Sequence, residues 1–317
     1  MGKEELNEKI VSTIVYYDVL NYPLTSFEIW KYLLARNTKH ETHNKEKKTE
    51  VALGDIVIAL ENEEIKKYVG EYRGYYFLKG RKDLAQLRIE RNKLSEIKFK
   101  KILSVARWLR FIPFIRMIGV TGRVAMKNAE AKSDLDLLIV LEKGFIFTGR
   151  FLVTVFVHLL GKRRHGKKIT DRICLNYYIA TGSLSIDLKD LFSSSEYFFM
   201  LPIFGEEVWR NFQKENSWIK NFRENYYVSD VPNMKMIGDS FFSEKLRRLG
   251  EKILGRKTIE EKMKKFQLKK IKSNPKTKKR DSMIIADDDS LVFLPDPQGP
   301  KVYGKFRKKM NHIGILD

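Results

Sequence analysis

The feature that most restricts this chain is the segment from Ile115 to Val140. An apolar run, Ile115 to Val120, ends at Thr121-Gly122. A stretch with helical spacing follows over 124–131, and then comes Ser133-Asp-Leu-Asp-Leu-Leu-Ile-Val140. A strand turns successive side chains to opposite faces, so Asp134 and Asp136 emerge on one side while Leu135 and Leu137 enter a core. Two carboxylates about 7 Å apart on one strand face can bridge divalent cations. They can equally occupy a solvated turn at the start of the strand. A pair of like charges beside so apolar a strand is costly unless a cation neutralises it.

The surroundings sharpen that choice. Val120-Thr-Gly122, followed at a short interval by Ser133-Asp-Leu-Asp-Leu, resembles the signature of the DNA polymerase beta-like nucleotidyltransferase superfamily, in which Gly-Ser precedes Asp-x-Asp by a similar distance. The resemblance implies a small mixed sheet, with Asp134 and Asp136 as catalytic metal ligands for two Mg2+ ions. It also implies a nucleoside triphosphate held by Thr121, Gly122, Arg123, Lys127 and Ser133. Free backbone amides at a glycine turn suit phosphate for a physical reason, since their dipoles point at the anion. The chain departs from the pattern at Arg123, where the family has serine, and at Lys127, where members often carry glycine.

A further metal ligand on a neighbouring strand is common in that superfamily. The strand expected over 173–179 offers Asn176 in register, a neutral amide that can ligate magnesium but is a poor base. Asp171 and Asp187 are the other carboxylates that could complete the set. Cys174, the only cysteine, reads as a core residue, excludes an intramolecular disulfide and fits a reducing, cytoplasmic setting.

Ahead of this segment, apolar spacing predicts a helix over 6–18. Thr25 and Glu28 form a capping box for a second helix, and a third is expected over 51–63. Strands over 65–69 and 75–78 then flank a Gly70–Gly74 turn, and residues 37–50, almost wholly polar, read as a loop. That order resembles the winged-helix module found ahead of certain bacterial nucleotidyltransferase-like proteins. Such a module either contacts DNA or docks protein. The fold expected is therefore α+β: a winged helix at 1–82, a linker helix at 83–111, a nucleotidyltransferase-like sheet at 112–190, a helical region at 191–270 and a basic C-terminal extension at 271–317.

Charge points to anionic partners. Lys and Arg number 61 against 40 Asp and Glu, a formal charge of +21, which favours nucleotides, nucleic acid or acidic lipid. Between residues 241 and 280 lie 16 basic and four acidic residues, and Lys162, Arg163, Arg164, Lys167 and Lys168 form a second cluster. The apolar stripe Phe242, Leu246, Leu249, Ile253 reads as the packed side of a helix whose basic side faces out. No stretch is long and apolar enough to predict a membrane span. Three functional readings stand: a metal-dependent nucleotidyltransferase with an unknown acceptor, a catalytically degenerate relative acting as a DNA-binding or nucleotide-sensing regulator, or a basic scaffold protein with no ligand.

Overall fold

The computed structural model describes residues 2–35, 51–226 and 236–314. The polar stretch expected as a loop over 37–50 lies outside them. The architecture is α+β, with twelve helices and a six-stranded mixed sheet among the described residues. No described helix is long and apolar enough to cross a membrane.

Helix α1 (Lys3–Val19) buries Ile10, Ile14 and Val15 in an N-terminal core. Helix α2 (Ser26–Lys31) starts at the capping box, in which the Glu28 amide donates to Thr25 Oγ1 and Glu28 accepts from the Thr25 amide. The third helix is shorter than its spacing predicts. It ends at Leu60 as α3 (Leu53–Leu60), and Asn62 caps a separate turn, α4 (Glu63–Lys66), by accepting from the Glu64 amide. Asparagine satisfies the free amides of a helix start, so it restarts the helix rather than continuing it.

Ile65 belongs to that turn, so the first strand begins later than expected. β1 (Val69–Tyr72) pairs antiparallel with β2 (Tyr75–Leu78). Their two-residue turn places both Arg73 and Gly74 at positive φ, the geometry that matches the twist of a hairpin. Helix α5 (Asp83–Leu109) then spans two cores: Leu84 and Ala85 pack with Phe77, and Ile102, Ala106 and Leu109 pack on the large sheet.

The sheet runs β6 (Leu201–Phe204), β3 (Ile115–Val120), β4 (Leu135–Leu141), β5 (Ile173–Ala180), β8 (Ser290–Leu294), β7 (Met283–Ala286). Only β4 and β5 pair in parallel, and helix α7 (Ile146–Leu159) makes the crossover that parallel neighbours require. Leu135, Leu137 and Ile139 face α5 and α7. Leu138 and Val140 face the opposite layer with Trp209 and Phe212 of α9 (Glu206–Glu215). A one-residue slip of β4 would exchange these faces, so burial on both sides fixes its register and with it the position of Asp136.

The helix expected over 124–131 is a single turn, α6 (Gly122–Ala125), ended by Lys127 at φ 56°. Side chains from α5 claim the polar groups that would have continued it. Ser95 Oγ accepts from the Ala129 amide, and Arg91 donates to Asn128 and Glu130.

The C-terminal region is built into the fold. Helix α8 (Leu191–Phe198), capped by Asp190, packs against α12 (Gly299–His312). Strands β7 and β8 extend the sheet beyond β5, while Phe306 and Met310 of α12 enter the N-terminal core. Residues 241–272 form two helices, α10 (Phe241–Leu254) and α11 (Lys257–Lys272), separated at Gly255.

Candidate metal centre

The two carboxylates lie on the same side at the start of β4, Asp134 just ahead of the strand and Asp136 within it. Oxygens of Asp134 and Asp136 and the sulfur of Cys174 lie within 4.8 Å of one another. Gly122 closes the other side. Its φ is 64°, and a β-carbon there would lie 2.6 Å from Asp136 Oδ2, so the turn is pressed against the carboxylate in a conformation that favours glycine.

Cys174 takes the place the sequence suggested for Asn176. Cys174 is the register partner of Asp136, and a bulge in β5 between Cys174 and Tyr177 offsets every later pair by one residue. The expectation that Asn176 stands in register is therefore corrected: it lies within the bulge, which breaks the strict alternation on which the expectation relied. Cys174 is buried, as a core residue would be, but it faces the carboxylates.

The other carboxylates considered from sequence are used or placed elsewhere. Asp171 pairs with Lys98 Nζ at 2.7 Å and Lys101 Nζ at 2.6 Å, and Asp187 is exposed. Ser133 holds the turn ahead of β4. Its hydroxyl accepts from the Glu130 amide, and its carbonyl accepts from Lys98 and the Asp171 amide.

The Thr121 amide donates to the Asp136 carbonyl as part of the sheet, whereas those of Gly122 and Arg123 open a helical turn and have no acceptor within it. Arg123 turns outward onto Glu130, which Arg91 also holds. Lys127 points towards Glu96, 3.9 Å away.

The cation at the cluster is Arg164. Its Nη1 donates to Asp134 Oδ2 at 2.5 Å and to Cys174 Sγ at 3.2 Å. The main chain aims it: Arg164 N–H donates to the Ile173 carbonyl, and Ile173 N–H donates to the Lys162 carbonyl, which lays residues 162–164 along the start of β5. In the sequence Arg164 was one of five cations in a loop, and nothing local singled it out.

Glu196 of α8 is a further carboxylate in the field of the cluster. Burial, then the charges of Asp136 and Asp190, push it up to about 7. Asp136 rises well above the usual carboxylate range, through burial and then the charge of Asp134. Both keep a little solvent-accessible surface, yet protein surrounds them nearly completely. Burial, with the two aspartates, also raises the Cys174 thiol. Each shift disfavours negative charge, and each is relieved by a cation. Two carboxylates and a thiol suit a divalent ion. The two carboxylates suit Mg2+ or Mn2+, and the sulfur shifts the preference towards a borderline ion such as Zn2+.

Fold and cluster together define a class, a mixed α+β protein with a carboxylate and thiol cluster beside a glycine turn. Beyond that class, no family model, curated protein or solved structure matches the chain.

An arginine on a metal ligand competes with the metal. Arg164→Ala is expected to raise Mn2+ affinity about tenfold, equivalent to about 1.4 kcal/mol. It should also lower the stability of the metal-free protein by about 1 kcal/mol, because Asp134 loses a charge-assisted bond. Calorimetric titration and thermal unfolding read the two effects. A fall in metal affinity would show that Arg164 supports the site instead of blocking it.

Proposed function

We propose that this chain is a metal-dependent nucleotidyltransferase that moves a nucleoside monophosphate from a triphosphate to an acceptor. The observation carrying this reading is the convergence of Asp134 and Asp136 against Gly122, at a separation too small for any β-carbon. Three-stranded order within the sheet supports it: β3, β4 and β5 are neighbours in sequence order, with the acids at the start of β4.

Asp134 and Asp136 would hold the ions, with Cys174 as a third donor. When bound, Mg2+ or a borderline divalent ion would supply positive charge to the phosphate oxygens and the acceptor oxygen. The amides of Gly122 and Arg123 would face the triphosphate. In the transfer, the acceptor oxygen bonds to the α-phosphorus, the α,β-bridging P–O bond breaks and pyrophosphate leaves. Arg164 has to leave Asp134 for the ion to enter, and its guanidinium is then available to a phosphate oxygen.

One observation favours the second reading, a degenerate fold that senses nucleotide or binds nucleic acid: Arg164 already neutralises Asp134 as a metal would. DNA contact through the third helix has no support in its residues. α3, LGDIVIAL, carries no lysine or arginine and exposes Val57 and Ile58, whereas phosphate contact needs cations.

Titration of the four nucleoside triphosphates, each with and without Mg2+ or Mn2+, separates the readings. Metal-dependent binding accompanied by pyrophosphate release supports the transferase. Binding without turnover supports the sensor. Absence of triphosphate binding overturns the transferase and the nucleotide sensor, leaving nucleic-acid binding to be read by salt-dependent titration of the chain with DNA.

A further inference from the structure

Helix α10 packs the wrong way round for an amphipathic helix in a globular protein. Its row Phe242, Leu246, Leu249, Ile253 was expected to face the core, since surface helices bury their apolar stripe. The structure reverses this. Those four side chains are 67%, 44%, 54% and 58% exposed, and Phe241 is 81% exposed.

Polar groups attach the helix to the body instead. Glu251 accepts from Arg116 and from the Phe114 amide, and Arg247 donates to the Arg110 carbonyl and pairs with Asp239. Gly250 lies against Pro113 so closely that a β-carbon would be 2.4 Å away. The reversed orientation is therefore held by specific bonds on the inner side.

The outward patch continues beyond the helix. Phe242 contacts the ring of Phe111, which contacts Trp108 of α5, itself 59% exposed. Contiguous apolar surface of this kind marks a contact site for protein or membrane.

Charge decides between occupants. One helical row over from the apolar row stand Phe241, Lys245, Arg248 and Lys252, all exposed. An apolar row flanked by cations is the layout of a helix lying in the headgroup plane of an anionic bilayer. A second copy would bring the same cations face to face on a chain of charge +21. We infer that α10 and Trp108 form a peripheral docking surface for an anionic lipid bilayer, with the phenyl rings and leucines entering the interface and Lys245, Arg248 and Lys252 meeting the headgroups. This surface is independent of the metal centre and of the reaction assigned to it.

The test uses the full chain with vesicles of phosphatidylcholine, with and without phosphatidylglycerol. Expected are at least about tenfold stronger partition onto the phosphatidylglycerol vesicles and a blue shift of tryptophan emission that Trp108→Phe removes. A Phe242→Glu, Leu249→Glu double variant, altered only at exposed positions and checked for folding by circular dichroism, should lose about tenfold in partition. Unchanged partition in that variant would mean that other basic surfaces hold the vesicle, and would overturn the proposal. Absence of partition by the parent chain overturns it as well. So would a concentration-dependent dimer, seen by ultracentrifugation, that the double variant abolishes, since a second copy would then be the occupant.

Discussion

Asparagine at both 134 and 136 is expected to remove metal-dependent triphosphate binding, by at least about 100-fold. Groups that merely orient a ligand are worth about 10- to 100-fold in metal affinity, so loss of two ligands sets that floor. The companion expectation concerns stability and runs the other way. Glu196 is pushed up to about 7 from an ordinary 4.5, and Asp136 is raised from 3.8. In the folded state such groups bind protons that the unfolded state has already released. Their contribution is thus present below the unfolded value and is lost as pH climbs through the folded one. For Glu196 that window is about 4.5 to about 7. The metal-free protein should therefore become less stable across this range.

Asp136→Asn alone should flatten the loss and leave the protein about 1–2 kcal/mol more stable at pH 8. Saturating Mn2+ should restore the parent protein by favouring the carboxylate form. Denaturant unfolding from pH 4 to 8, with and without metal, measures all of this. Stability that rises with pH in the metal-free parent would contradict the electrostatics assigned to the cluster.

Gly122→Ala should be the most damaging single-methyl change at the site. A left-handed backbone costs a residue with a β-carbon about 1–2 kcal/mol. Here the added carbon would also lie 2.6 Å from Asp136 Oδ2. The turn has to open or the carboxylate has to move, and a total of about 3 kcal/mol follows, near the upper range for local strain. Metal affinity should fall at least about tenfold because the displaced oxygen is a proposed ligand. Gly54→Ala is the matching control: Gly54 lies in α3 with open space where the carbon would go. It should be neutral or slightly stabilising. Equal losses at the two glycines would remove the argument for close contact at Gly122.

The same cluster explains why a binding site and a stable fold compete in this chain. Burial of Leu137 to Leu141 on both faces anchors β4 and forces its first acids to the margin of the core, where water no longer screens their repulsion. Arg164 relieves Asp134 in the metal-free protein. Asp136 and Glu196 have no hydrogen-bonded cation among the described residues, and each shares the penalty by binding protons more tightly.

Much of this was legible in the residues themselves. Alternation along Ser133 to Val140 placed Asp134 and Asp136 on one face, because strand geometry repeats every second residue. The capping box at Thr25, the long helix after Asp83, the mixed sheet and the special status of Gly122 followed from equally local rules. What failed were inferences needing knowledge of a neighbour. The helix over 124–131 yielded to side chains from α5, and the bulge in β5 put Cys174 rather than Asn176 opposite Asp136. The apolar stripe of α10 faced outward because Glu251 and Arg247 found partners on its other side.

Sequence alone, then, determined which side chains could act as a pair, since one strand carries both and its period is fixed by the backbone. Tertiary structure decided what stands against that pair. Arg164, Cys174 and Glu196 come from a loop, a neighbouring strand and a helix that local periodicity cannot bring together. Only packing of the whole sheet sets their distances.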